Sequence, residues 1–250
     1  MLKYLASILF FIPIIHNAQL NKVDQKGWKQ GAWVKYYPES KVAIYQGQFK
    51  DNKPFGEFRY YFASGKVKAL ILHQHINNKS YAKFYFENEQ LMATGFYTDM
   101  KKDSLWTNFN EQGFILSNEM YRDDKLNGRK ISYYLQGQDE DKAKVLSIEN
   151  YIDSLLEGQY ESFFMQGNTM DKGNYHLNFK EGEWINFHPN GINSSRSNFK
   201  KGLLHGWAYT YDIKGKLLGK AFFYKGLELK GEELEKHLKY CVQKGINPTD

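Results

Sequence analysis

The sequence predicts an all-β protein, an elongated and twisted antiparallel sheet of about eight β-hairpin repeats with a short C-terminal capping helix. Three observations carry this. One phrase recurs eight times at near-constant spacing. Aromatic residues form 17% of the chain, with 19 Tyr and 18 Phe, and rings suit the pleated, half-buried surface of a strand. Past Gly231 the phrase ends and a helical apolar pattern takes over.

The phrase is plainest in "GAWVKYYPES" (31–40) and "GEWINFHPNG" (182–191). Aligned on the first residue, its copies start at Gly31, Gly56, Ser80, Ser104, Gly128, Gly158, Gly182 and Gly206, with spacings of 25, 24, 24, 24, 30, 24 and 24. Periods of this order mark repeat architectures. Nine residues after the starts stand Ser40, Gly65, Glu89, Gly113, Gly137, Gly167, Gly191 and Gly215. Seven residues before the following starts stand Phe49, His73, Tyr97, Tyr121, Tyr151, Tyr175 and Phe199, with Phe223 equivalent in the last copy.

Each part of the period has a physical reading. The stretch from a start to its first aromatic ("GEFRYY", "GEWINF") is a strand of ordinary length. "ASG", "EQG", "PNG" and "IKG" are turns in which Gly supplies positive φ. A second strand runs through the later aromatic slot. Asp51, Asp99, Asp123 and Asp153, two residues beyond that slot, predict a second turn in which Asp bonds its own backbone. Two strands and two turns exhaust the period, so each repeat is a hairpin. A lone hairpin is unstable, and stacking covers each ring from both sides.

Five residues after each start lies an aromatic: Tyr36, Tyr61, Tyr85, Phe109, Tyr133, Phe163, Phe187 and Tyr211. This row is the expected internal stack. The next position holds Tyr37, Phe62, Phe86, Tyr134 and Phe164, broken by Asn110, His188 and Asp212. Neighbours in a strand point to opposite faces, so these five rings are expected to be partly exposed and are the candidate partner-binding residues. The alternative is that strand curvature packs both rows. Ser80, Ala82 and Glu89 depart from the pattern in the third repeat, while Lys130 and Ala208 replace the large residue two after the start. Those repeats are expected to twist or pair loosely.

The domain organisation follows. Residues 1–18 read as a secretory signal peptide, with Lys3, an apolar stretch over 4–15 and Ala18 before the cut. Residues 27–230 form the repeat domain, in which only the fifth repeat carries a long insertion, acidic at 139–141. Residues 231–250 form a helical cap and tail. In "EELEKHLKYCVQ", Leu234, Leu238, Cys241 and Val242 share one face, and the helix is expected to cover the last sheet edge. A secreted or periplasmic, cell-envelope location follows from the signal pattern. The single cysteine, Cys241, permits no disulfide within the chain.

The pattern G-x-W-x-x-Y/F-x-x-x-G-K, followed by an aromatic strand and a Lys/Asn turn, resembles the MORN-repeat variant of bacterial proteins over roughly residues 27–230. The resemblance implies an elongated hairpin sheet that contacts proteins or membrane lipids. Many bacterial chains with this repeat are labelled YwqK-type antitoxins. The signal peptide departs from a cytoplasmic antitoxin and leaves room for an envelope immunity protein.

The remaining candidates are framework in their plainest reading. A net charge of +6 is scattered without a basic cluster, so no nucleic acid is expected as partner. "HQH" at 73–75 puts two imidazoles on one strand face, but His73 fills an aromatic slot and no metal site is expected. Cys241 lies on an apolar helical face, and no G-x-S-x-G elbow occurs. The acidic run at 139–141 lacks calcium-loop spacing. Glu57, Glu161 and Glu183 recur near strand starts as framework would. No cofactor and no catalytic residue is expected. The sequence therefore predicts a non-catalytic exported scaffold that binds a protein partner through its sheet face, with a role as an antitoxin or immunity-type protein among its readings. The alternative is an envelope-associated structural protein that binds anionic lipid or glycan.

Overall fold

The computed structural model describes residues 19–74, 78–135 and 143–248. The expected signal peptide, His75, Gly137 and the acidic run 139–141 lie outside the described residues. The chain forms two compact units, Met1–His73 and Gln74–Asp250. In the first, β1 (Lys22–Val23), β2 (Lys29–Tyr36), β3 (Ala43–Lys50), β4 (Lys53–Tyr61) and β5 (Val67–His73) pair antiparallel in succession. The second unit opens with β6 (Lys79–Tyr85), β7 (Leu91–Thr98), β8 (Lys101–Phe109), β9 (Ile115–Arg122), β10 (Lys125–Tyr133) and β11 (Val145–Ile152). It continues through β12 (Leu155–Leu156), β13 (Gly158–Phe163), β14 (Thr169–His176), β15 (Phe179–Phe187) and β16 (Asn193–Lys200). It closes with β17 (Leu203–Leu204), β18 (Gly206–Tyr211), β19 (Leu217–Tyr224), β20 (Leu227–Leu229) and the helix α1 (Gly231–Lys244). The all-β class, the consecutive antiparallel hairpins and the terminal helix are those the sequence predicts.

The two turns of a repeat differ, and the sequence explains both. In the first, Phe62 N–H reaches Lys66 O at 2.9 Å and Gly65 N–H reaches Phe62 O at 2.9 Å, with Gly65 at φ +87°. This is a three-residue loop, a type I turn closed by a left-handed residue. It recurs at 110–114, 164–168, 188–192 and 212–216. Glu89 takes the left-handed place in repeat three, at φ +69°. Repeat one bridges Tyr37 to Val42 and so carries one more residue, which accounts for its spacing of 25.

The second turn has two residues with positive φ: Asp51–Asn52, Asp99–Met100, Asp123–Asp124, Asp153–Ser154, Leu177–Asn178, Lys201–Gly202 and Lys225–Gly226. That is the type I′ turn whose twist matches a hairpin. Asp is present because it tolerates this conformation. Its carboxylate reaches across the array and not to its own backbone. Gln30 Nε2 donates to Asp51 Oδ1 at 2.9 Å, and Asn78 Nδ2 donates to Asp99 Oδ1 at 2.7 Å.

Repeats join at a bulge that includes the start residue. β14 and β15 are in register at Lys172 with Ile185 and again at Asn174 with Glu181, so Gly173 alone faces Gly182, Glu183 and Trp184. The start residue adopts the left-handed conformation this requires, as at Gly182 (φ +69°) and Ser104 (φ +58°). The repeats expected to be loose are not. Repeat three pairs continuously from Lys79–Thr98 to Tyr85–Leu91, and Ala82 is fully buried.

Both ends of the array are modified. Asn21 N–H bonds Ala32 O at 2.9 Å, and Asn21 Oδ1 accepts Val34 N–H at 2.8 Å, so the N-terminal segment lines the outer side of β2. At the other end a ninth start would fall on Lys230, which is extended (φ −132°), and from Gly231, at φ +50°, the chain continues as α1. Glu232 and Glu233 suit the helix N-terminus, and Gly245 at φ +64° ends it. The helix sets His237 against Phe222 and Tyr224, with ring centroids 5.5 and 4.6 Å apart, and buries Cys241. It covers a sheet face where an edge was expected. Val242, expected on the buried side, is 79% exposed.

Candidate functional site

The inner ring ladder is not the expected one. The fully buried rings are Phe58, Trp106 and Trp184, each two residues after a start, together with Phe222. They meet the later aromatic slot edge-on: Phe58 with His73 at 5.2 Å, Trp106 with Tyr97 at 5.0 Å, Trp184 with Tyr175 at 5.1 Å. The row expected as the internal stack is half-buried at Tyr61, Tyr85, Phe109, Tyr133, Phe163, Phe187 and Tyr211, and Tyr36 is exposed. The physical reason is the bulge, which turns the residue two after the start onto the preceding strand's glycine. A Cβ on Gly95 or Gly173 would fall 2.3 Å from Trp106 or Trp184. The bulge also frees a carbonyl for each indole N–H: Trp106 Nε1 donates to Phe96 O at 2.9 Å and Trp184 Nε1 to Asn174 O at 3.1 Å.

A lysine lies over each of these tryptophans. Lys29, Lys102 and Lys180 place Nζ 4.7, 4.4 and 3.9 Å from the ring centroids of Trp33, Trp106 and Trp184. The signal was present in sequence as K-x-[GS]-x-W, in "KQGAW", "KDSLW" and "KEGEW". Repeats without Trp two after the start carry Pro54, Asn78, Leu126, Leu156 or Leu204 at the lysine position.

The candidate partner-binding row proves to be half-buried at Tyr37, Phe62, Phe86, Tyr134 and Phe164. Part of it bonds the next repeat: Tyr37 OH donates to Tyr61 O at 2.9 Å and Tyr134 OH to Phe163 O at 2.7 Å. His188 Nε2 lies 3.0 Å from Tyr211 O, in the same role. Phe86 alone of these five lines the larger groove described below.

Between Trp106 and Tyr160 the ladder is interrupted by a polar island. Lys130 occupies the tryptophan slot, in register with Glu119 on one side and Glu149 on the other. Its Nζ is 3.7 Å from Glu149 Oε2. Each carboxylate is bonded along its own strand. Ser117 Oγ and Tyr121 OH donate to Glu119 at 2.9 Å each, and Ser147 Oγ and Tyr151 OH donate to Glu149 at 3.2 and 2.7 Å. Burial, then the hydrogen bond to glutamate, pushes both tyrosine hydroxyls far above the usual phenol range. The island is written twice in sequence, as S-x-E-x-Y in "SNEMY" and "SIENY", a period-two pattern that puts all three side chains on one face.

Beside the island opens a groove of about 710 Å³. Phe84, Phe86, Met92, Phe109 and Leu116 supply apolar walls, and Asn108, Ser117 and Glu119 converge at one side. Asn108 Nδ2 donates to Ser117 Oγ at 3.0 Å, so its amide oxygen stays available. Rings and a few fixed polar groups in one concavity suit noncovalent recognition of an extended chain segment.

The other singled-out residues are structural where described. His73 packs against Phe58, and burial holds its imidazole below the usual range. Among the described residues, no three His, Cys, Asp or Glu side chains gather as metal ligands would. Glu57 pairs with Arg59 and Glu183 with Arg196, while Glu161 accepts from Thr169. Cys241 Sγ lies 3.7 Å from His237 Nε2 and is 2% exposed. No described helix is long and apolar enough to cross a membrane.

Fold and groove together define an all-β hairpin-repeat protein. No family model matches the chain, and no curated protein matches it.

Proposed function

We propose that this chain is a non-catalytic, exported scaffold that binds a protein partner through its sheet face, at the groove between Phe84 and Glu119. The observation that carries the reading is that groove, where apolar rings adjoin Asn108, Ser117 and Glu119 in one concavity. The island's carboxylates are held by serine and tyrosine, a wiring that suits framework better than proton transfer. The resemblance to MORN-type repeats and the N-terminal signal pattern agree with this role in the envelope. They are also in keeping with an immunity-type role for the chain itself, in which the bound protein is a toxin.

A photoreactive residue at Phe86, with another at Thr107 as control, tests the reading in the native envelope. One protein should crosslink from position 86, at a single discrete mass, and not from position 107. Phe109→Asp should abolish the product while the variant stays folded, with a lowered melting midpoint. Equal labelling from both positions, or a product that contains no protein, would defeat the proposal.

A further inference from the structure

We infer that the C-terminal edge of the sheet, along Leu217–Ala221 of β19, docks an extended, acidic strand of another protein. This edge is separate from the groove, so each stands or falls by its own experiment.

The edge is an unfilled place in the array. In the second unit the outer side of each earlier second strand is paired: β7 by β8, β9 by β10, β11 by β12 and β13, β14 by β15, β16 by β17 and β18. β19 is paired by β20 only at Phe222, Phe223 and Tyr224. Among the described residues nothing pairs Leu217–Ala221 on that side. The cause is that a ninth strand would begin at Lys230, and from Gly231 the chain becomes helical instead.

Strand parity identifies the free groups. Asn198, one period before Phe222, accepts at its C=O the N–H of His205, just before the next start, at 2.8 Å. Backbone groups alternate sides along an antiparallel strand. Lys220, two residues before Phe222, therefore turns its N–H and C=O outward as well. Its counterpart Arg196 meets Tyr209 of the next repeat there.

The neighbouring residues specify the occupant. Leu217, Leu218 and Ile213 are 48%, 67% and 57% exposed and offer apolar contact. Lys214, Lys216 and Lys220 are exposed against one carboxylate, Asp212, so the edge attracts acidic side chains. Lysine on an edge usually keeps strands away. Here Lys220 Nζ is drawn aside to 4.9 Å from the Trp207 ring. A second copy would set these lysines against themselves. A lipid surface has no strand backbone to complete the ladder. Ala221 stands in the slot that Gly173 fills beneath Trp184, and its methyl group restricts the incoming residue there to a small one.

The probe is a fluorescein-labelled peptide of alternating Val and Glu, eight residues long, titrated into the protein at low salt and followed by anisotropy. Saturable binding is expected. Lys220→Pro, which removes one outward N–H, should weaken it at least about tenfold. N-methylation of the peptide should do the same, and a Val–Lys peptide should not bind. Should Lys220→Pro disturb the last hairpin, the pair Lys214→Glu and Lys216→Glu leaves the ladder intact and should still weaken the acidic peptide. Unchanged binding in both variants, or equal binding of the Val–Lys peptide, would overturn the inference. So would self-association that Lys220→Pro abolishes, or anionic vesicles that displace the peptide.

Discussion

At the scale of single residues, the tryptophan two after the start outranks the aromatic five after it. Trp184 is 2% exposed, holds a hydrogen bond to Asn174 O and sits on Gly173 without room for a methyl group. Trp184→Ala should cost about 3–5 kcal/mol, the range for truncating a buried large ring. Phe187, half-buried with Lys172 Nζ 5.5 Å from its ring, should cost about 1–2 kcal/mol on the same truncation. Urea denaturation of the two variants compares them directly, and equal losses would show that the bulge does not select the inner row. His73 makes a second residue-scale prediction. Burial depresses its pKa, so the folded state prefers the neutral imidazole. The stability it contributes is present above the ordinary histidine value of about 6.5 and is lost as pH falls through the lower folded value. His73→Phe fills the same slot without a titrating group, and should flatten the stability of the first unit between about pH 7 and pH 5. A denaturation midpoint for this variant that still falls as steeply on acidification would exclude His73 as the source.

At the scale of elements, the hairpins were legible because both turn types need positive φ at fixed places, and Gly, Asn and Asp mark those places openly. The bulge between repeats was not legible. Its start glycine looks like any turn glycine, and only the register of Lys172 and Asn174 against β15 shows three residues opposite one. Alternation along an unbroken strand therefore assigned the two aromatic rows wrongly. The groove was only partly foreseen, through Phe86 alone, since its polar side comes from S-x-E-x-Y, which reads as ordinary strand. The island has a testable charge logic. Lys130 and Glu149 side chains are 26% and 17% exposed, so their attraction is moderately screened. Lys130→Met leaves Glu119 and Glu149 facing each other across β10 without a cation. It should cost about 1–3 kcal/mol at pH 7. Glu119→Gln in the same chain removes one of the two facing charges, so the double variant should recover part of that deficit. Chemical denaturation of the single and double variants measures this. An unchanged deficit in the double variant would mean that lost packing of the lysine stem, and not charge, sets the cost.

At the scale of the whole second unit, the ring ladder divides into two stretches with the island between them. One holds Phe84, Tyr97 and Trp106, the other Tyr160, Tyr175, Trp184 and Phe199. In an array where each repeat touches only its neighbours, energetic coupling follows contact and falls away over intervening repeats. Trp184 and Phe199 meet at 6.3 Å between the two paired strands of one repeat, whereas Trp106 and Trp184 are separated by Lys130 and its carboxylates. Two double-mutant cycles follow. Trp184→Ala with Phe199→Ala should deviate from additivity by about 0.5–3 kcal/mol, because the first truncation already loosens the second ring. Trp106→Ala with Trp184→Ala should be additive to within about 0.5 kcal/mol. Because each tryptophan is costly to remove, Phe substitutions serve if the alanine variants do not fold. Strong coupling between the distant pair would mean that Glu119, Lys130 and Glu149 transmit packing as a ring would, and that the island is a continuous part of the ladder.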